Sequence, residues 1–226
     1  MVNYEVEPSL LQPYVPKGTT LDSWNGKTLV SIVGFLFLDT RLKGIPVPFH
    51  RNFEEVNLRF YVKRVMDGEI RRGVVFVKEI VPLWGLARIA RSVYNENYVS
   101  MPMRHSIIDD GRHGHPELVS YGWCHARRWN ELRIQPSAPS FLPAADSEEA
   151  FITEHYWGYV GQQDGSTIEY GVEHPQWQVW KVANQKFDCD IEAVYGKRFV
   201  EPLSETPSSA FLAKGSMVVV RIGTRI

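Results

Sequence analysis

Polar and apolar residues alternate almost without exception from Glu55 to Lys63. A period of two places successive side chains on opposite faces of a β-strand, so one face packs in a core while the other meets water or a polar interior. The pattern runs through Asp67-Gly68, a hairpin signal, into a mainly apolar stretch from Gly73 to Ile80. These residues predict two long neighbouring strands joined by a tight turn.

Several other stretches favour strands. From Thr28 to Leu38 the residues are apolar on both faces, which is typical of a strand buried on both sides. Near the N-terminus, a strand at Asn3–Val6 precedes a short helix at Glu7–Leu11, with Pro8 in the first turn of that helix. Further strands are predicted at Tyr98–Ile107, Leu118–Arg127, Phe151–Val160, Thr167–Val172, Trp177–Val182 and Met217–Ile222, with a second hairpin at Asp164-Gly165.

One convincing helical pattern interrupts the strands. Apolar residues from Leu83 to Tyr94 recur at three- and four-residue spacing, with Arg88 and Arg91 one turn apart on another side. A chain of many short strands with few helices predicts a mostly β (α+β) fold, an antiparallel barrel or sandwich with peripheral helices. The irregular stretches at 135–147 and 201–209 are too short to be linkers, so we expect a single domain over residues 1–226.

Composition excludes several classes of protein. The 25 basic and 26 acidic residues give a net charge of −1, so no global attraction to nucleic acid or to anionic membranes is expected. The two cysteines, Cys124 and Cys189, have no close spacing, which argues against a disulfide framework and a structural zinc site. The N-terminal residues lack the pattern of a signal peptide, and Leu29–Leu38 is too short to span a bilayer. We therefore expect a cytoplasmic location.

The polar side of the alternating strand is the first candidate site. It carries Glu55, Asn57, Arg59 and Lys63. In a barrel this side would line the interior, where a buried carboxyl could act in proton transfer and a guanidinium could bind a carboxylate. The alternative is the solvated face of an amphipathic strand.

A second candidate lies on the predicted helix and just beyond it. Arg88 and Arg91 are spaced to grip one anion, and Tyr94 and Tyr98 follow them. The alternative is a pair of arginines that face solvent or surface acids.

Aromatic residues are concentrated from Thr153 to Tyr159. Tyr156 and Trp157 would provide an apolar wall with hydrogen-bonding tips. Histidine side chains ordinarily titrate near neutral pH, so His155 is a candidate proton-transfer group. A strand packed in the core, with His155 bonded to the backbone, explains the same composition.

Metal and cofactor signatures are weak in this sequence. His113-Gly114-His115 has a spacing that some metal sites use, but it lies in a turn-like context without a third ligand nearby. The sequence contains no GxSxG, P-loop, GxGxxG or HExxH motif. We therefore predict no metal and no cofactor.

Six stretches together resemble the YqjF-like family, bacterial proteins of unknown function. They occur in order over most of the chain, and the longest, Phe53–Val62, contains the alternating strand. The others are Asn3–Val6 with Leu10-Leu11 and Tyr14–Pro16, Val30–Phe35, Gly73–Phe76, Ala90-Arg91 with Tyr94 and Tyr98, and Thr153–Tyr159.

The order of these elements is also similar to that of acetoacetate decarboxylase. This resemblance implies a strand-rich, cone-like barrel around an interior site, with Glu55 at the position of an active-site glutamate. The helix with Tyr94 is similar to the one that precedes the family's paired catalytic lysines, but here Asn95-Glu96-Asn97 follow. Decarboxylation in that family requires an amine that forms a Schiff base. Lys78 could supply one only if its side chain shares a face with Glu55, which the sequence leaves open.

Three functions remain open from the sequence. The first is a module that encloses a small anionic or carbonyl-bearing ligand. The second is an enzyme, of lyase or hydrolase type, in which Glu55 or His155 moves a proton. The third is a structural or interaction protein without a pocket. Separately, the resemblance to acetoacetate decarboxylase is compatible with a homodimer. For the first, the predicted ligand-binding residues are Asn57, Arg59, Arg91, Tyr94, Tyr98, Tyr156 and Trp157.

Overall fold

Strands dominate the computed structural model, which describes residues 1–42, 45–46, 51–82, 97–109, 111, 114–137 and 139–226. The helices are short: α1 (Pro8–Leu11), α2 (Glu148–Thr153), α3 (Ile191–Tyr195) and α4 (Val200–Ser204), with 3₁₀ turns at Gln12–Tyr14 and Lys197–Phe199. The strands are β1 (Val2–Glu5), β2 (Thr20–Leu21), β3 (Leu29–Phe37), β4 (Arg41–Leu42), β5 (Ile45–Pro46), β6 (Phe53–Met66), β7 (Glu69–Val81), β8 (Tyr98–Ser100), β9 (Met103–Ile108), β10 (Leu118–His125), β11 (Arg128–Pro136), β12 (Trp157–Gly161), β13 (Thr167–Glu173), β14 (Val179–Asp188), β15 (Ser209–Ala213), β16 (Val219–Val220) and β17 (Thr224–Arg225).

Fifteen strands join in one sheet, and β4 pairs with β5 in a separate small sheet. The main path runs β16-β13-β12-β7-β6-β3-β1-β15-β14-β11-β10-β9, while β2, β8 and β17 pair with β6, β7 and β13. The predicted mostly-β fold is confirmed. Because the path ends at β16 and β9 within the described residues, the sheet is open, and the word barrel describes its curvature only loosely. The pairing is also mixed, since β7 runs parallel to β8 and to β12.

The sheet curls until its β9–β10 end lies over β3 and β6. Gly34 on β3 approaches the ring of Tyr121 on β10 so closely that a Cβ at residue 34 would lie 2.6 Å from Cδ2 of the ring. Nδ1 of His105 on β9 lies 2.7 Å from Oε1 of Glu54 on β6. Side chains therefore connect parts of the sheet that the strand order leaves far apart.

Strand β6 separates two packed layers. Its residues Val56, Leu58, Phe60 and Val62 point into the larger core, which β10 and β11 close with Trp123 and Leu132 among others. Tyr61 points to the opposite side, into a smaller cluster that α2 covers with Phe151 and Ile152. Alternation places Glu55, Asn57 and Arg59 on the same side of the sheet as Tyr61.

Most predicted strands and both predicted hairpins are confirmed. The turn between β6 and β7 has positive φ angles of 52° at Asp67 and 82° at Gly68, which explains the Asp-Gly pair. Gly165 in the second hairpin has a φ of 80°. Helix α1 begins at Pro8, where a missing N–H has no consequence.

The strand predicted at Phe151–Val160 is wrong over its first half. Residues up to Thr153 belong to α2, whose N-cap Ser147 accepts a hydrogen bond of 3.1 Å from the Ala150 N–H. Strands β11 and β15 and the two-residue strands β2, β4, β5 and β17 were not predicted, and the predicted strand at Met217–Ile222 is shortened to β16. The helix predicted at 83–94 lies outside the described residues. None of the helices in the described part of the chain is long and apolar enough to cross a membrane.

Candidate binding site

The polar side of β6 is buried over its first half. Glu55 and Asn57 are each only 2% exposed, and Arg59 is half-buried. Farther along, Lys63 forms an ion pair of 3.4 Å with Asp22. Burial of a carboxyl and an amide costs free energy unless both are hydrogen-bonded, so a solvated strand face does not describe Glu55 and Asn57.

Hydrogen bonds fix these two side chains relative to each other. Nδ2 of Asn57 donates to Oε1 of Glu55 at 2.9 Å, and the hydroxyl of Tyr98 lies 3.4 Å from Oε2 of Glu55. The other polar atom of the amide, Oδ1 of Asn57, is buried and has no hydrogen-bond partner among the described residues. One acceptor on this face is thus left for something else to satisfy.

A β-bulge brings Glu79 to the same face. Arg59 pairs with Phe76, but the register then shifts by one, so that Leu58 pairs with Lys78 and Asn57 with Glu79. Side chains directly opposite each other in an antiparallel pair share a face, and Glu79 is only 1% exposed. Tyr98 pairs in register with Glu79 from the other side. We call Glu55, Asn57, Glu79 and Tyr98 the polar cluster.

The same bulge turns Lys78 away from the polar cluster. Without the bulge, Val77 would pair with Leu58, and Lys78 would lie opposite Asn57. In the structure Lys78 lies opposite Leu58, on the side of the larger core, and Nζ donates to the backbone carbonyl of Val194 in α3. Glu79 was not singled out from the sequence, because the position of a bulge decides which of two neighbouring residues faces the site.

Arg59 lies next to the polar cluster on β6. Its Nη2 donates to the backbone carbonyl of Ile152 at 3.0 Å, and its guanidinium carbon lies 5.7 Å from the centre of the Tyr61 ring. Nε is buried without a hydrogen-bond partner among the described residues. A charged donor therefore faces this side of the sheet with part of its hydrogen-bonding capacity unused.

His155 also packs against Tyr61, from the loop between α2 and β12. It is 5% exposed, and its ring centre lies 4.7 Å from that of Tyr61 and 5.1 Å from that of Phe151. Burial, with the nearby Arg59 and Arg72 cations, holds the pKa of His155 well below its usual value, although backbone groups of Phe151 and Ile152 partly oppose this. Neither ring nitrogen makes a hydrogen bond of normal geometry to any described residue. The imidazole is therefore neutral at physiological pH.

A hydrogen-bonded row continues this polar side beyond Tyr61. The Tyr61 hydroxyl lies 2.5 Å from Oγ of Ser31, which donates at 2.6 Å to Oδ1 of Asn3. Asn3 in turn donates at 2.8 Å to Oγ of Ser209. These bonds join β6, β3, β1 and β15 across four neighbouring strands and fix the orientation of Tyr61, against which Arg59 and His155 pack.

Tyr156 and Trp157 lie elsewhere. Tyr156 is 37% exposed and packs beside His174, while the guanidinium of Arg71 lies 4.2 Å from the Trp157 ring centre. Both aromatic residues line a surface cleft of about 570 Å³ together with the ion pair of Arg221 and Glu173. The sequence-predicted site is therefore divided, since its aromatic wall and its carboxyl group do not meet.

Other predicted site residues lie outside the described part of the chain. These are Arg91 and Tyr94, together with Arg88 and His113. Within the described residues, no group of three or more histidines, cysteines, aspartates and glutamates has an arrangement that could hold a metal ion.

Sequence comparisons match this chain to one protein family and to one curated relative. The model of the DUF2071 family, described as an uncharacterized conserved protein, matches residues 1–217. The uncharacterized protein YqjF of Bacillus subtilis (strain 168) is 38% identical over 193 residues, which cover 85% of this chain and 75% of YqjF.

Among the solved structures with a similar fold are two enzymes. Acetoacetate decarboxylase from Legionella pneumophila has a TM-score of 0.65 at 10% identity, covering 100% of this chain and 82% of that chain. The enduracididine biosynthesis enzyme MppR, complexed with pyruvate, has a TM-score of 0.61 at 12% identity, covering 99% and 81%. At such low identity the likeness establishes the fold alone.

Proposed function

Since the chain belongs to the DUF2071 family and has the acetoacetate decarboxylase-like fold, we propose that it binds a small anionic or carbonyl-bearing molecule at the polar cluster. Binding is non-covalent in this proposal. The ligand contacts Asn57 and Tyr98, and its negatively charged group lies toward Arg59, next to the polar cluster on β6.

The burial of three polar side chains on one sheet face carries this proposal. Glu55, Asn57 and Glu79 are at most 2% exposed, although strand faces in a core are usually apolar. A buried polar group without a partner costs about 1–3 kcal/mol, and Oδ1 of Asn57 is such a group among the described residues. A ligand that satisfies this oxygen recovers that free energy.

Proteins of the same fold support the class of ligand. MppR is described in complex with pyruvate, a small keto acid, and the Legionella protein is an acetoacetate decarboxylase. Both names point to short acids that carry a carbonyl group. At 10–12% identity they support a class of molecule and leave the individual ligand to experiment.

The position of Lys78 and the absence of lysine from residues 95–97 argue against Schiff-base chemistry at the polar cluster. Lys78 donates to Val194 on the opposite side of the sheet from Glu79, and the segment Asn95-Glu96-Asn97 contains no lysine. An imine requires an amine beside the carbonyl carbon of the ligand. The proposed function is therefore binding by hydrogen bonds and charge.

Thermal unfolding with a panel of short acids tests the proposal. The panel contains pyruvate, acetoacetate, lactate, 3-hydroxybutyrate and acetate, each at millimolar concentration. A ligand present at about 100 times its Kd adds about 2.7 kcal/mol to the stability of the folded state, which gives a clear rise in Tm. At least one member of the panel is expected to produce this rise.

Two variants connect the rise in Tm with the polar cluster. Asn57→Ala removes the amide, whereas Tyr98→Phe removes only a hydroxyl from a half-buried side chain, so the second variant is expected to fold in any case. Both should reduce the ligand-dependent rise, and Asn184→Ala, at an exposed position of β14, should retain it. A panel without effect, or an effect that both site variants retain in full, would contradict the proposal.

A further inference from the structure

The orientation of the Asn57 amide defines what its ligand must offer. The NH₂ group points at a carboxylate oxygen of Glu55, 2.9 Å away, because the reverse orientation would oppose two acceptors. Oδ1 therefore points away from Glu55, buried and without a partner among the described residues. A carbonyl oxygen only accepts hydrogen bonds, so the group that meets it must be a donor such as a hydroxyl or an N–H.

Arg59 provides a positive charge on the same strand face. No carboxylate of the described residues lies within ion-pair distance of its guanidinium, whose one side-chain-to-backbone bond goes to the Ile152 carbonyl. Nε–H is buried and unsatisfied among those residues. A guanidinium in this state favours a carboxylate, which accepts from its nitrogens with charge-assisted geometry.

His155 adds two ring nitrogens beside Arg59 that make no hydrogen bond of normal geometry within the described part of the chain. Both side chains pack against the Tyr61 ring, with distances to the ring centre of 4.7 Å for the imidazole and 5.7 Å for the guanidinium carbon. A neutral imidazole donates one hydrogen bond and accepts one. It can therefore donate to a carboxylate oxygen without adding a second full positive charge beside Arg59.

The spacing of these groups fits a short acid. Asn57 and Arg59 are two positions apart on one strand, which separates their Cα atoms by about 6.6 Å. We propose that the ligand is a short hydroxy acid whose hydroxyl donates to Oδ1 of Asn57 and whose carboxylate binds Arg59 and His155. This inference rests on the proposed function and specifies the chemistry of its ligand.

A keto acid fits this arrangement less well than its reduced partner. The carbonyl oxygen of a keto acid would face Oδ1 of Asn57, and two acceptors cannot satisfy each other. A site built to bond a hydroxyl rejects analogues that lack the donor, because its own polar atom stays buried and unpaired.

Isothermal titration calorimetry with matched acid pairs tests the inference. Lactate is compared with pyruvate, and 3-hydroxybutyrate with acetoacetate, so that each pair differs only in a hydroxyl or a carbonyl group. We expect the hydroxy acid of at least one pair to bind about tenfold more tightly, as one hydrogen bond to a buried acceptor warrants.

Variants separate the two halves of the proposed contact. Asn57→Ala should bring the affinity ratio within a pair close to one, whereas Arg59→Gln should weaken both members of the pair by a similar factor. His155→Phe, which preserves the ring packing against Tyr61 and Phe151, should act like Arg59→Gln. Arg133→Gln, at an exposed position of β11, is the matched control and should leave both affinities unchanged.

The outcomes distinguish this inference from the proposed function. Tighter or equal binding of the keto acids, or a hydroxy-acid preference that persists in Asn57→Ala, would overturn the inference while the binding function stands. Failure of these four acids and of acetate to bind would overturn both, whereas binding of acetate alone would overturn only the inference.

Discussion

Single residues on the polar side of β6 differ from one another mainly in what surrounds them. Glu55 and Lys63 belong to the same alternating pattern, yet Glu55 is 2% exposed and bonds to Asn57, whereas Lys63 is only half-buried and forms an ion pair with the buried Asp22. Alternation along a strand predicts which side chains share a face. It gives no information on what covers each part of that face, which depends on segments distant in sequence.

His155 gives a testable pH dependence of stability. The unfolded chain has a histidine pKa near 6.5, whereas burial holds the pKa of His155 in the folded protein well below that value. As the pH falls below about 6.5, the unfolded state takes up a proton that the folded state does not bind, so stability decreases. Above that pH the contribution of His155 is fully present.

The measurement is the free energy of unfolding by urea between about pH 7.5 and 5. His155→Phe lacks this linkage, so its stability relative to the parent protein should improve as the pH falls, with a limiting slope of about 1.4 kcal/mol per pH unit. Phenylalanine keeps the ring packing against Tyr61 and Phe151. Parallel pH profiles for the two proteins would show that His155 does not titrate in this manner.

Among the secondary-structure elements, β6 could be predicted from the sequence. For its partner β7 the strand could be predicted, but the register could not. Period-two alternation and the Asp67-Gly68 turn were sufficient to predict both strands and their antiparallel pairing. The register was not predictable, because one bulged residue, Val77, exchanges Lys78 for Glu79 on the site face. No local pattern in an apolar strand marks where such a residue will be inserted.

Helix α2 shows the opposite case, in which a usable signal was present. The apolar residues Phe151 and Ile152 favoured a strand, but Ser147 followed by two glutamates is a recognisable helix start. This helix covers Tyr61 and supplies the carbonyl that holds Arg59. Because a strand was predicted where this helix ends, the sequence did not indicate that His155 would lie beside β6.

The close approach of β3 and β10 predicts a steric effect at Gly34. A methyl group there would lie 2.6 Å from the Tyr121 ring, so Gly34→Ala should destabilise the protein by about 1–3 kcal/mol. Gly161→Ala, where a Cβ would meet no atom within 4 Å, is the matched control and should change Tm little. Thermal unfolding measures both variants. Tyr121→Leu should partly rescue Gly34→Ala, and equal Tm values for the two alanine variants would contradict this packing.

On the scale of the whole molecule, the resemblance to known families and the pattern of polar and apolar residues predicted different features of the protein. The resemblance to the YqjF-like proteins, confirmed by the matches to DUF2071 over residues 1–217 and to YqjF, predicted the family, and the resemblance to acetoacetate decarboxylase predicted the fold. Neither the resemblance nor the pattern predicted that Tyr156 and Trp157 would line a surface cleft apart from Glu55. Residues that are adjacent in a family motif can face different sides of a sheet, because the chain leaves α2 and enters β12 within four residues.

Chemical trapping tests whether the acetoacetate decarboxylase-like fold operates here without an imine. Borohydride reduces an imine to a stable amine, so incubation with pyruvate or acetoacetate followed by borohydride would add a fixed mass to a reactive lysine. We expect no modified lysine in peptide mass maps, because Lys78 bonds to Val194 on the side of the sheet opposite Glu79. A modified Lys78 peptide that disappears in Lys78→Arg would show that this amine reaches the ligand. The register at the Val77 bulge would then differ in the bound state, and the proposed non-covalent binding would have to be replaced by covalent chemistry.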